Sequence, residues 1–298
     1  MFAVSPIKNN ERIFVLPNAA FLTAGPSEDV CDTARNLARE YHLKSESDYA
    51  PYVEYVYGSF PHEHHPRAWS RDAKDLMATL VGEELEPQNF GQGSFQHSCG
   101  STEEDENTPI EILEAASRIV LARSWGDKLL PVVDMLNHRN GRFYNVGDQA
   151  NSAHEGKDIV FVALRDINEG EQLYISYNEC PDIDCEGYDL TFGAPQMLDE
   201  YGFVEQYPRR FNFETNDGFL VFDVDMQEDN TITVIWLSDQ PSVAQISFLK
   251  GHLDRLHKLN STISLGVAQL QSHEKNTIVQ YYQALIQALD VSTSSLLG

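Results

Sequence analysis

The sequence predicts a mixed α+β fold of small β-sheets, with a helical insertion and a short, mainly helical C-terminal region. Three observations carry this expectation. Short apolar runs bounded by Gly, Asn or Asp recur, as in LLPVVDML, DIVFVALRDI and EQLYISY. Apolar residues repeat at helical spacing over 28–42 and again from Thr108 to about Arg123. After residue 210 two alternating stretches give way to two amphipathic helical patterns.

The elements follow in order. FAV and RIFVLP read as two short strands joined by a turn at Lys8-Asn9-Asn10. Residues 28–42 read as a helix whose buried face carries Val30, Ala34, Leu37 and Ala38. Asp48 to Tyr52 reads as a turn, and Pro61 to Ser70 as a solvated loop carrying His62, His64, His65 and Trp69. Residues 71–82 are expected to be helical. The Gly-, Ser- and acid-rich stretch 91–107 reads as a mobile surface loop. A helix start follows, with Thr108 as the cap, Pro109 at the first helical position and Glu111 three residues after the cap. DINEGE, 166–171, is a turn that needs Gly170, and Pro195 to Tyr201 is a short helix stopped by Gly202. FNFETNDGFLVFDV and TITVIWL read as two strands, followed by helices at about 242–259 and 273–290.

Length and charge narrow the function. The 298 residues suit one large domain, or one domain with an appendage, and 42% hydrophobic residues suffice for a packed core. With 21 basic and 46 acidic residues the net charge is −25. Phosphate backbones would be repelled, so no nucleic-acid partner is expected and a basic protein or peptide is the natural one. The plain alternative is an acidic surface that keeps the chain soluble. No apolar run approaches bilayer length, and the N-terminus lacks the plan of a signal peptide. Cys31, Cys99, Cys180 and Cys185 are too few for a disulfide scaffold, which predicts a reducing, intracellular compartment. Cys180 and Cys185 make at most half of a zinc site, so no metal is expected. Oligomeric state is not legible.

The order of motifs is more specific than any one of them. ARSW ends a helix and PVVDMLNH follows; then come a strand, the DINEGE turn, LYISY and DEYGFVE. Taken together they resemble SET-domain proteins of the RuBisCO large-subunit methyltransferase class, over roughly residues 1–205. The resemblance implies a SET domain at 1–208 with its helical insertion at about 28–125. Residues 209–298, a strand pair plus two helices, fall where the class carries a substrate-binding lobe. It also implies S-adenosyl-L-methionine as cofactor and transfer of a methyl group to a protein, most naturally to lysine. Arg123, Asn137 and His138 match residues that hold the cofactor. Tyr177 matches the catalytic tyrosine beside the methyl-transfer channel and also borders the cofactor. Asp134, Tyr201 and Phe203 resemble residues around the substrate channel. The class opens with a glycine-rich cofactor turn; Met1-Phe2-Ala3-Val4 resembles the strand after it and the glycine motif is absent, so the expectation is either a truncated chain or impaired cofactor binding.

Each residue alone has a plainer reading. Asn137 would cap a turn, His138 sit satisfied in a core, Tyr177, Tyr201 and Phe203 pack, and Arg123 complement a helix dipole. A non-catalytic SET-fold binding module is the alternative function, and histidine an alternative acceptor. The joint order of the motifs favours the enzyme, and the missing glycine-rich turn favours the module. Alignment and a dry channel are what the protein supplies to such a transfer. Aromatic rings attract a cationic amine or sulfonium. Lysine, with an ordinary pKa of about 10.4, must shed a proton before it attacks, and a dry channel lowers that value.

Overall fold

The computed structural model describes residues 1–23, 29–82, 94–102, 105, 108–149, 158–178 and 192–295. It divides into two compact units, Met1–His62 with Gly93–Glu186 and Glu63–Gln92 with Gly187–Gly298. The fold is mixed α+β, as the apolar patterning predicts.

The first unit is built on small sheets. Strands β1 (Arg12–Leu16), β6 (Val146–Asp148) and β7 (Ile159–Ala163) form an antiparallel sheet in the order β1-β7-β6. Its inward residues Phe161, Ile159, Ala163 and Val146 are fully buried, and Phe14 stacks on Phe161 with centroids 4.7 Å apart. Residues 1–7 do not form a hairpin with β1. They run beside 167–173, with Phe2 bridged to Gln172 and Ile7 to Ile167. Backbone groups choose the partner that satisfies most of them, and here that partner is remote in sequence.

A second sheet joins β2 (Leu22–Thr23), β3 (Ser124–Trp125) and β4 (Lys128–Leu129). Helices α1 (Val30–Leu43) and α5 (Ile110–Arg123) share a core, with Leu37 and Ala38 buried alongside Leu113, Ala116 and Ile119. Asp29 caps α1 by accepting from the Cys31 N–H at 2.8 Å. Val30 lies outside the buried face, at 49% exposure. The expected turn at 48–52 is instead the start of α2 (Ala50–Ser59), with Pro51 in its first turn. The predicted cap at Thr108 is also displaced: Pro109 takes the cap position of α5, without a side-chain bond.

Part of the stretch expected to be a mobile loop is helix α4 (Phe95–Cys99). Cys99 is joined to Cys31 by a disulfide. A cysteine count speaks against a disulfide scaffold, but not against one isolated pair. Cys180 and Cys185 lie outside the described residues.

In the second unit, β9 (Arg209–Thr215), β10 (Gly218–Met226) and β11 (Ile232–Trp236) form a meander in the order β11-β10-β9. The sequence expects two strands here, but Asn216 and Asp217 turn the first stretch into a hairpin. Phe211, Phe213 and Phe222 are fully buried in one core with residues of α3 (Arg71–Val81), α7 (Val243–Val267) and α8 (Ser272–Ser295). Both C-terminal helices outrun their predicted spans. Residues 62–64 and 66–68 are single 3-10 turns, and His65, expected in a solvated loop, is 2% exposed. Its Nε2 lies 2.9 Å from the Glu200 carbonyl oxygen.

Helix α6 (Ala194–Tyr201) ends where predicted, on Gly202 in the left-handed region with φ 78° and ψ 18°. Its start is set by Gly193. A Cβ there would lie 2.8 Å from Asn212 Oδ1 and 2.9 Å from the Arg210 carbonyl oxygen. Gly193→Ala is therefore expected to destabilise the chain by about 1–3 kcal/mol through overpacking. A urea midpoint equal to wild type would refute that close approach.

Candidate active site

Seven residues predicted for the site lie in four sequence segments, and the fold explains how four of them meet. Arg123 is the last residue of α5. PVVDML, predicted as strand, is mostly a tight turn. Val132 adopts φ 77°, a left-handed value that a β-branched residue avoids. Residues 133–135 then form a 3-10 turn held by the Leu136 N–H donating to the Val133 carbonyl at 2.9 Å. This turn directs Asp134 inward, leaving its side chain 1% exposed.

Arg123 Nη1 donates to the Asp134 carbonyl oxygen at 3.1 Å and lies 3.6 Å from Asp134 Oδ2. The same Oδ2 accepts from the Tyr52 hydroxyl at 2.9 Å. Burial raises the Asp134 carboxyl to about 6, against the pull of Tyr52 and Arg123. A carboxyl raised in the folded state adds stability as pH falls from about 6 toward about 4, because the unfolded group binds its proton later. At roughly 1.4 kcal/mol per unit, the contribution is a few kcal/mol. Carbon-13 NMR of the Asp134 carboxyl should show a midpoint near 6, and Asp134→Asn should remove this part of the acid-side gain. A midpoint below the ordinary carboxylate value would show that the ion pair dominates.

The next strand, β5 (Asn137–His138), pairs in parallel with β8 (Tyr174–Ile175), in the register Asn137 to Tyr174 and His138 to Ile175. Strand alternation sends the two side chains to opposite faces. His138 is 8% exposed and Asn137 is open to solvent. Just past β8, the Tyr177 N–H donates to His138 Nδ1 at 3.1 Å, with the rings 5.0 Å apart. The Tyr177 hydroxyl donates to the Leu136 carbonyl at 2.7 Å. Burial pushes that hydroxyl up to about 12. It stays protonated at neutral pH, so what it presents there is a hydroxyl dipole and not a phenolate base.

Arg123, Asp134, His138 and Tyr177 thus meet around one turn, with Asn137 beside them on β5. Tyr201 and Phe203 belong to the second unit, where their rings lie 6.2 Å apart and Tyr201 also faces Phe192. Sequence reasoning missed Tyr52, which sat in a presumed turn. It also missed a buried amide network. Asn140 Nδ2 donates to Asn178 Oδ1 at 2.8 Å, and the Ser176 hydroxyl donates to Asn140 Oδ1 at 2.7 Å. Asn145, fully buried, accepts from the Tyr174 N–H at 2.7 Å and so fixes the start of β8. The one available signal was Asn178, which directly follows ISY.

Small sheets, a helical insertion and a parallel junction of Asn-His with the strand leading to Tyr177 define a SET-type fold. A family model described as SET domain matches residues 1–178, and the chain belongs to that family. Members are generally protein-lysine methyltransferases that use S-adenosylmethionine. No curated protein matches the chain. No described helix is long and apolar enough to cross a membrane.

Proposed function

We propose that this chain is an S-adenosylmethionine-dependent methyltransferase of the RuBisCO large-subunit methyltransferase class, acting on a lysine of a basic protein. The observation that carries the proposal is the β5–β8 junction, where His138 and Tyr177 are locked together beside Arg123 within a SET-family segment. The residues present fit such a cofactor. Arg123 Nε is a buried donor without a hydrogen-bond acceptor among the described residues. Asn137 offers an exposed carboxamide with both donor and acceptor.

In this reading Arg123, Asn137 and His138 hold the cofactor, which when bound supplies an electrophilic methyl group. Tyr177 orients the acceptor nitrogen: its proton is committed to Leu136, so its oxygen faces reactants as an acceptor dipole. Asp134 fixes Arg123. Tyr201 and Phe203 line the substrate channel, and residues 209–298 serve as a reduced substrate-binding lobe. The charge of −25 favours a basic target.

The test is incubation of the chain with labelled S-adenosylmethionine and extract proteins, read by mass spectrometry, beside calorimetry of cofactor binding. Label on lysine supports the proposal. Absence of cofactor binding would leave a SET-fold binding module in its place, and label on histidine would reassign the acceptor.

A further inference from the structure

The end of α1 and one side of α2 line an open pocket of about 770 Å³. That volume falls within the range of ligand sites. Its lining shares no residue with the site above. Tyr41 and Tyr57 form its aromatic part, with rings stacked at 4.0 Å between centroids. Tyr41 is 39% exposed, so its ring remains reachable from solvent.

The polar lining holds two carboxylates and one ammonium. Glu40 and Glu54 contribute carboxylates, and Glu40 is held in place by the Ser47 hydroxyl, which donates to its Oε2 at 2.7 Å. Helix α1 ends at Leu43, so its last carbonyls bring the negative pole of the helix to the same place. Against these stand Lys44, which is exposed to water, and Arg39, whose Nη2 lies 3.6 Å from Glu40 Oε1, so Glu54 is the carboxylate that carries the attraction. His62 also lines the pocket, its ring 6.2 Å from that of Tyr57. Aromatic faces beside a carboxylate attract cations, while an anion would meet the Glu54 charge and the ring faces.

We propose that this pocket is a docking site for the cationic side chain, lysine or arginine, of a basic peptide segment. Charge complementarity selects that occupant: the lining is acidic and aromatic, in a chain of net charge −25. The site is independent of the methyl-transfer reading, because none of its lining residues belongs to the machinery assigned there.

The test uses the whole chain and a labelled Gly-Ser peptide carrying three lysines, at about 0.15 M salt to suppress diffuse attraction. Fluorescence polarisation should show binding that weakens about tenfold or more in the Tyr41→Ala/Glu54→Gln double variant, from loss of one ring face and one carboxylate. Both side chains are exposed, so the variant should fold, which circular dichroism checks. Glu228→Gln removes the same charge from the exposed β10–β11 turn and should leave affinity unchanged. Equal binding by the double variant and wild type would overturn the proposal, as would an equal loss in Glu228→Gln. Cofactor calorimetry and methyl transfer are measured separately. Normal transfer with variant-insensitive peptide binding sinks this site alone, and variant-sensitive binding without transfer sinks the enzyme reading alone.

Discussion

Tyr177→Phe is expected to lower the rate of methyl transfer by about a hundredfold or more, with cofactor affinity changed little. Removal of one oriented hydroxyl from a dry site has effects of this size when that dipole acts mainly in the transition state. The ring, its packing on His138 and the backbone N–H to Nδ1 all survive the substitution. What disappears is the hydroxyl bonded to the Leu136 carbonyl. That carbonyl loses a donor, so stability should fall by about 1–3 kcal/mol. Single-turnover kinetics and calorimetry separate the two effects. The hydroxyl is held up at about 12, so the rate profile below pH 10 should carry no inflection from Tyr177. Normal turnover in Tyr177→Phe would remove Tyr177 from the catalytic role.

Arg123→Leu is expected to destabilise the chain by about 3–5 kcal/mol, because it leaves a buried carboxyl without its cation. Asp134 has a side chain 1% exposed, and its Oδ1 already lacks a hydrogen-bond partner among the described residues. Loss of Arg123 removes one of the influences that hold its carboxyl down, and the midpoint should climb further above about 6. Arg123→Met combined with Asp134→Leu should recover most of the stability, since apolar replacement of a whole buried pair is often neutral. Cofactor binding should not recover with it. Urea unfolding and calorimetry on the single and double variants give the two readings. Full recovery of both would make Arg123 a structural residue with no hold on the cofactor.

Local rules made some of these elements legible and hid others. Gly170 and Gly202 were readable because their turns demand positive φ, and both have φ 78°. The amphipathic faces of α1 and α5 were readable because burial follows helical spacing. Pro51 misled, since proline marks a turn and a helix start equally well. PVVDML misled in the other direction: its β-branched residues signal strand, but Val132 is forced into a turn by what surrounds it. Asn137, His138 and Tyr177 emerged from motif order. Tyr52 did not, because its bond to Asp134 spans 82 residues and no local pattern encodes it. The Cys31–Cys99 bond was hidden for the same reason, at a separation of 68 residues.

The pairing of β1 with β7 has a kinetic consequence. Leu16 meets Ile159 and Phe14 meets Phe161, so the opening strand has no sheet neighbour until residues near 160 have been synthesised. Residues 1–7 wait longer still, for 167–173. The first unit is therefore rich in contacts between distant parts of the chain, and such topologies fold slowly because loop closure precedes the gain from pairing. During translation β1 is an unpaired edge with Phe14 and Val15 on display. That interval, more than the finished molecule, is where the strand is exposed to edge-to-edge aggregation.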